Sequence, residues 1–120
     1  MTDELREKIK RFENQDNSVG PCVEKAAHPP LMLELRHRGN RTALPYNLLL
    51  SVEFNPSRHL EIQFSTGKVI LQSTRPKSLE PLVDLLKEHL VARLDEIDEV
   101  SASALDAVPI ITKINVEPRN

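Results

Sequence analysis

The chain is poor in aromatic residues, which limits both its core and its ligands. Among its 120 residues there are no Trp, one Tyr and three Phe. The core of a domain with this composition has to be built from aliphatic side chains. Proteins that bind single-stranded nucleic acid stack the bases on exposed aromatic rings. In the predicted sheet, Phe54 and Phe64 fall on inward positions, so Tyr46 alone is left there for such stacking.

Cysteine and clustered histidine are also scarce. Cys22 is the single cysteine, which excludes an intrachain disulfide and a zinc site with several cysteines. The four histidines are far apart in sequence, and no two have the spacing of metal ligands on a helix. No neighbouring residue activates Cys22 as a nucleophile. The sequence therefore predicts no metal, no cofactor and no enzymatic activity.

Long apolar runs are missing as well. No segment approaches the roughly 20 apolar residues of a membrane-spanning helix. The opening stretch MTDELREKIKRF alternates acidic and basic side chains. It has neither the apolar run of a secretory signal nor the acid-poor composition of a transit peptide. We therefore expect a cytoplasmic protein without a membrane span.

The stretch FSTGKVIL contains Thr-Gly-Lys but does not form a phosphate-binding loop. Such a loop places two glycines five positions apart, then Lys and Ser or Thr, between a strand and a helix. Here Ile62 lies five positions before Gly67, and Val69 follows Lys68. The residues after Lys68 have the composition of a strand, so Gly67 is predicted to form a turn.

The distribution of charge along the chain is uneven. The formal net charge is −2 and the isoelectric point is about 6.1. Residues 31–77 carry seven bases and three acids, whereas residues 78–120 carry four bases and nine acids. A basic segment attracts anions, so residues 36–77 are a candidate nucleic-acid or anion-binding region. The candidate binding residues lie near a predicted helix N-terminus: Lys68, Arg75, Lys77 and Ser78.

The first thirty residues are predicted to form a short helix and a linker. Leu5, Ile9 and Phe12 have helical spacing, which favours a helix over residues 3–13. Few apolar residues follow between positions 14 and 30, and this segment ends at two prolines. It is therefore predicted to be a linker.

From residue 31 onward, apolar residues recur at every second position, which indicates β-strands. A first strand is followed by a turn at residues 38–40 and by a return strand that ends at Pro45. In the next two strands the inward residues alternate with polar ones: Leu50, Val52, Phe54, Leu60, Ile62 and Phe64. A turn at residues 65–67 leads into another strand. This pattern predicts an antiparallel meander with one buried face.

An amphipathic helix is predicted to cover the sheet. Ser78 is a suitable N-cap, and apolar residues then recur at intervals of three and four. A helix over residues 79–98 would be about 30 Å long, whereas a four-stranded sheet is about 20 Å wide. Either the helix breaks near Leu90, which Val91 favours because it leaves the apolar stripe, or its far end packs against another helix or subunit.

The last twenty residues are predicted to be a connector followed by a strand or tail. The stretch VPIITKINVE is rich in β-branched residues, which favours a strand. It is expected to complete the sheet edge or to pair with a second molecule. The predicted boundaries are 1–30 for helix and linker, 31–100 for an α+β domain and 101–120 for the connector and C-terminal strand.

The runs LPYNLLLSVEF, LEIQFSTGKVIL and LEPLVDLLKEHL resemble the strand, strand and helix portion of pleckstrin-homology-like domains. The resemblance covers about half of the chain and is one of pattern. It implies a curved sheet closed by a terminal amphipathic helix. A half-barrel of this size would pair with another copy.

Together these features predict an α+β fold. It consists of a small antiparallel sheet of about four or five strands, covered by one amphipathic helix, and a short N-terminal helix. So small a core leaves apolar surface uncovered, so we expect a non-catalytic module for protein interaction or homo-oligomerisation. The candidate interface residues are apolar: Leu94, Ile97, Ile110, Ile114 and Val116.

Overall fold

Most of the predicted strands and a short helix within the predicted helical segment are present, and further strands flank them. The computed structural model describes residues 20–103 and 108–118, which contain eight strands and two α-helices. The predicted N-terminal helix over residues 3–13 lies outside the described residues. The elements in chain order are β1 (Val23–Lys25), β2 (Met32–His37), β3 (Asn40–Pro45), β4 (Leu49–Asn55), β5 (His59–Phe64), β6 (Gly67–Gln72), α1 (Glu80–Lys87), β7 (Val91–Asp95), α2 (Glu99–Ser103) and β8 (Lys113–Pro118).

The strands form two sheets, so the prediction of a single sheet is wrong, although the α+β class is confirmed. The first sheet has the order β1-β7-β2-β3, and the second has the order β4-β5-β6-β8. Neighbouring strands are antiparallel, except that β2 and β7 are parallel. A parallel pair needs a long connection. The sequence hides this pairing because β3 to β6 and α1 all lie between its two strands.

The helix ends where its apolar stripe is interrupted. The last residue of α1 is Lys87, and His89 has a φ of 58°. The N–H groups of His89 and Leu90 donate back to the preceding turn at 3.1 and 2.8 Å. This is the hydrogen-bond pattern of a Schellman C-cap, which usually has glycine at the left-handed position. The chain then enters β7, so the predicted break near Leu90 is confirmed.

The helix begins later than predicted. Residues Pro76–Leu79 form a 3-10 turn, and α1 starts at Glu80. The N-cap residue is Leu79, which makes no side-chain cap. Ser78 is therefore not the N-cap, because its hydroxyl donates to the carbonyl of Arg75 within the turn, at 2.7 Å.

The second sheet follows the predicted meander, with one side chain turned to the other face. β4, β5 and β6 pair in succession, and β8 adds antiparallel to β6. Of the two alternatives for the C-terminal segment, completion of the sheet edge is the one observed. A β-bulge between Leu49 and Ser51 interrupts the alternation of β4. Leu50, predicted to point inward, is therefore 63% exposed.

An aliphatic core combines side chains from both sheets and α1. Its largest fully buried members include Leu33, Leu35, Leu60, Ile62, Phe64, Leu71, Leu82, Leu86 and Leu94. The segment predicted as a linker also contributes, since Cys22 and Val23 are buried and β1 pairs with β7. Three residues are too few to show the alternation that identifies a strand in a sequence. Across residues 20–103 and 108–118, no helix has the length and apolar character needed to cross a bilayer.

Candidate protein-binding surface

The four candidate anion-binding residues do not form one cluster. Lys68 lies at the start of β6, whereas Arg75, Lys77 and Ser78 come after the end of this strand. Strand residues advance by about 3.3 Å each, which places Lys68 about 13 Å from the last residue of β6. The structure therefore brings Arg75, Lys77 and Ser78 near one another but leaves Lys68 apart.

Lys68 has acidic partners on both neighbouring strands. Its ammonium group lies 3.3 Å from Glu61 on β5 and 3.7 Å from Glu117 on β8. The hydrogen bond to Glu61 is the main cause of a raised pKa of Lys68. Two carboxylates around one ammonium reduce its attraction for an added anion.

Ser78 links two segments of the chain. Its hydroxyl donates to the carbonyl of Arg75 at 2.7 Å and accepts from the N–H of Ile110 at 3.0 Å. Lys77 and Ser78 line an open cleft of about 410 Å³ that also holds two acidic side chains. This hydroxyl therefore positions the segment that leads into β8.

The candidate interface residues lie mostly inside the protein. Leu94, Ile110 and Ile114 are at most 1% exposed, while Ile97 and Val116 are partly buried against the core. The three fully buried side chains make their apolar contacts within their own chain. These three side chains are therefore not accessible to another molecule in this conformation, whereas Ile97 and Val116 remain partly accessible.

Charged side chains on the outer face of the first sheet pair with one another across the strands. Three arginines and three carboxylates form these ion pairs: Glu24–Arg93 at 2.8 Å, Arg93–Asp95 at 2.8 Å, Asp95–Arg36 at 4.0 Å, Arg36–Glu34 at 3.7 Å and Glu34–Arg41 at 2.6 Å. The hydrogen bond from Arg41 lowers the pKa of Glu34. The bases of β2 and β3 thus face two acids, Glu34 of β2 and Asp95 of β7.

An exposed apolar surface lies where β2 begins and β3 ends. Leu31 is 89% exposed and Met32 is 48% exposed. Both line an open cleft of about 490 Å³. We call this surface the apolar corner and define it by its lining residues: Pro29, Pro30, Leu31, Met32, Pro45, Tyr46, Asn47 and His89. Contiguous exposed apolar surface is typical of protein-interaction sites.

The base of the apolar corner is held by contacts between distant segments. The rings of Tyr46 and His89 stack, with centroids 4.6 Å apart and planes inclined by 15°. The Tyr46 hydroxyl donates to the carbonyl of Val91. Burial raises the pKa of this hydroxyl in Tyr46. These contacts fasten the end of β3 to β7, so the corner is formed before any partner arrives.

β3 is an outer strand of the first sheet and presents free backbone donors. The Tyr46 N–H donates to the carbonyl of Leu31 at 3.0 Å, so N–H groups at even positions of β3 point toward β2. Those of Arg41 and Ala43 point outward, and neither has a hydrogen-bond partner among the described residues. Pro45 has no N–H to offer. We call Arg41, Ala43 and Pro45 the β3 edge.

The outer edge of β8, in the second sheet, is blocked instead. The Glu96 carboxylate accepts from the N–H of Ile114 at 2.6 Å and from the N–H of Arg38 at 3.1 Å. The N–H of Glu96 donates to the carbonyl of Arg36 at 3.1 Å. Pro118, at the end of β8, has no N–H. Glu96 therefore covers part of this edge and ties it to the β2–β3 hairpin.

In the described part of the chain, no group of three His, Cys, Asp or Glu side chains is arranged to hold a metal ion. Cys22 is buried and its sulfur accepts from the N–H of Ile111 at 3.3 Å. Burial raises the pKa of the Cys22 thiol, which disfavours the reactive thiolate. Comparison with family models, with curated proteins and with solved structures finds no match for this chain.

Proposed function

We propose that this chain is a non-catalytic protein-interaction module that binds through the apolar corner and the β3 edge. The observation that supports this most is the position of Leu31 and Met32, which are 89% and 48% exposed beside an unpaired edge strand. Removal of apolar surface from water is favourable by about 25 cal/mol per Å². A partner that covers these two side chains gains this free energy.

The two surfaces together suit an extended segment of polypeptide. The outward N–H groups of Arg41 and Ala43 can bond to an added strand, and the apolar corner can hold apolar side chains just beyond Pro45. Strand addition to a sheet edge combines main-chain hydrogen bonds with side-chain pockets in this way. A helical ligand would leave both N–H groups without partners.

The rival function is anion or nucleic-acid binding through residues 36–77. It has less support because Arg36, Arg41 and Lys68 each lie within 4.0 Å of a carboxylate. Fluorescence anisotropy with labelled single-stranded DNA at low salt tests it. Binding that weakens steeply as salt is added would favour this rival.

Peptide selection tests the proposed function. A phage library of random linear peptides is panned on the wild-type chain, and enriched peptides are measured against the double variant L31S/M32S. We expect affinity to fall by at least about 10-fold to 100-fold, because each Leu or Met side chain that the peptide buries contributes about 1.5–3 kcal/mol. The measurement is the Kd by isothermal titration calorimetry.

Leu50 offers a matched control. It is 63% exposed and lies in the bulge of β4, outside the apolar corner. Leu50→Ser removes the same kind of surface side chain, so the enriched peptides should bind this variant as they bind wild type. Equal affinity for wild type and L31S/M32S would show that the apolar corner is not the binding surface.

A further inference from the structure

We propose that the partner of the β3 edge is a second copy of this chain, whose β3 pairs antiparallel with the first across a twofold axis at Ala43. This inference rests on the proposed function, because it uses the same edge and names its occupant. A strand that pairs with its own copy makes every contact twice. The two first sheets, of four strands each, then become continuous.

The outward backbone groups of β3 complement themselves in this register. The Ala43 N–H of each copy donates to the carbonyl of the partner's Ala43. The Arg41 N–H donates to the carbonyl of the partner's Pro45. The partner's Pro45 has no N–H, so Arg41 does not need to accept a bond in return. The outward N–H groups that lack partners in the single chain thereby all find acceptors, and no donor is left buried at the seam.

The side chains on the solvent face fit this register. In this register Arg41 of each copy lies beside the partner's Pro45, and the partner's Met32 lies opposite that Pro45 on the next strand, β2. An arginine stem covers apolar surface while its guanidinium stays in water. The Arg41 stem therefore lies against the partner's Pro45, one residue of its apolar corner, while the guanidinium keeps its ion pair with Glu34 of its own copy, at 2.6 Å.

The inner face of β3 also gains contacts. Leu44 packs against the core but is only partly buried in the single chain, because it lies in an edge strand. In the Ala43-centred register, Leu44 lies opposite the partner's Thr42. Apolar surface of Leu44 that faces water in the single chain is then covered by a β-branched side chain, which is a favourable cross-strand pair.

One other twofold register satisfies as many N–H groups. It is centred at Thr42 and pairs Arg41 with the partner's Ala43. The two Arg41 side chains are then diagonal neighbours about 7 Å apart, whereas the Ala43-centred register separates them by about 13 Å along the strand. The Thr42-centred register also places Leu44 opposite the partner's Asn40. Charge repulsion and the apolar–polar mismatch both favour the axis at Ala43.

The other outer strands of the described residues suit self-pairing less well. β1 has three residues, and β4 carries the bulge next to Leu50. β8 has its Ile114 N–H occupied by Glu96. Short strands, bulges and edge charges are the usual means by which sheets avoid pairing with other chains. β3 has six residues and no bulge, and its edge charge, Arg41, lies about 13 Å along the strand from the partner's Arg41 in the Ala43-centred register.

Light scattering coupled to gel filtration tests whether a second copy of the chain occupies the β3 edge. The wild-type chain should elute as a dimer that dissociates on dilution. Ala43→Lys places two like charges opposite each other at the axis and should raise the dimer dissociation constant about tenfold or more. Ala27→Lys adds the same charge to another exposed alanine, so this variant should remain a dimer. Circular dichroism verifies that both variants are folded.

Cysteine cross-linking tests the register. Residues in a hydrogen-bonded antiparallel pair have Cα atoms about 5.5 Å apart, within the range that a disulfide spans. Under mild oxidation, Ala43→Cys should form a covalent dimer rapidly, while Ala27→Cys and Thr42→Cys should not. Rapid cross-linking of Thr42→Cys with none at position 43 would overturn the Ala43 register.

The outcomes separate this inference from the proposed function. A wild-type chain that is monomeric at every concentration, yet whose selected peptides lose affinity for L31S/M32S, would overturn self-pairing and leave the interaction module intact. A dimer that persists unchanged in Ala43→Lys, without cross-linking at position 43, would place the contact elsewhere and also overturn self-pairing. A dimer lost in Ala43→Lys but not in Ala27→Lys supports it.

Discussion

β3 and β8 are both outer strands of six residues that end in proline, yet they present different edges. On β8, a carboxylate accepts from the outward N–H of Ile114. On β3, the outward N–H groups of Arg41 and Ala43 have no partner among the described residues. An unpaired edge can template the addition of another strand, and proteins usually block it. The β3 edge can therefore accept another strand, whereas Glu96 hinders this at the β8 edge.

The difference between the two edges comes from one side chain. Glu96 is the first residue after β7. It lies close enough to β8 to accept a hydrogen bond from Ile114. One oxygen reaches the edge of β8 and the other reaches the turn between β2 and β3 at Arg38. No described side chain does the same for β3. The Glu96 carboxylate that blocks the β8 edge therefore also holds the β2–β3 hairpin, which carries the open β3 edge.

Removal of the Glu96 carboxylate should give the largest loss of stability and should also open the β8 edge. Glu96→Ala leaves the N–H groups of Ile114 and Arg38 without their carboxylate acceptor. Hydrogen bonds to a charged group contribute about 1.5–3 kcal/mol each, and less where exposed, so we expect the free energy of unfolding to fall by about 2–3 kcal/mol. Urea unfolding measures this loss. Light scattering should show additional association through the opened β8 edge.

Two variants serve as controls for Glu96→Ala. Glu96→Gln keeps one acceptor oxygen without the charge and should lose about half as much stability. Glu88→Ala removes an exposed carboxylate elsewhere and should change stability by less than about 0.5 kcal/mol. A urea midpoint of Glu96→Ala equal to that of wild type would mean that the carboxylate does not hold the edge of β8.

Tyr46 fastens the end of the open strand, and its loss should have the next largest effect. Tyr46→Phe leaves the buried carbonyl of Val91 without its donor, so we expect a loss of about 1–2 kcal/mol at neutral pH. The Val91 carbonyl then has no hydroxyl partner, and the side chain at position 46 keeps only its ring packing, while the backbone bond from its N–H to Leu31 is unchanged. Urea unfolding of both proteins measures the difference.

The same tyrosine predicts a dependence on pH. Burial raises the pKa of Tyr46 in the folded protein, whereas an unfolded tyrosine ionises near pH 10. Above that pH the unfolded chain has released a proton that the folded chain retains, so stability falls as pH rises. Tyr46→Phe should lack this contribution. Tyr46 is the only tyrosine, so phenolate absorbance reports it directly, and ordinary ionisation near pH 10 would contradict a buried hydroxyl.

Local features of the sequence were sufficient for the hairpins and for the end of the helix. Turn geometry depends on residues within a few positions, so the turns at residues 38–40 and 65–67 are marked in the sequence itself. The departure of Val91 from the apolar stripe marked the end of α1 in the same way. The left-handed residue that ends this helix is His89, which no capping preference would have selected.

The parts that could not be predicted depend on contacts between distant residues. The two hydrogen bonds of the Glu96 carboxylate span 58 and 18 positions. The bulge that exposes Leu50 depends on the register against β5. The exposure of the β3 edge depends on which strands become neighbours, and the parallel pairing of β2 with β7 decides this. Apolar patterns alone placed Leu94 and Ile114 at an interface, although both are buried.

The smallest expected effect concerns the turn between β2 and β3, where the N–H of Arg38 binds Glu96. Arg38 has a φ of 51° and Gly39 a φ of 77°, which is the conformation of a type I′ hairpin turn that favours Asn-Gly. Arg38→Asn keeps the backbone N–H that binds Glu96 and should raise stability by about 0.5 kcal/mol. Arg58→Asn, in the loop before β5 and without a positive φ, should give no gain. Thermal unfolding compares the two variants, and an equal change in both would mean that strain at Arg38 does not limit the β3 hairpin.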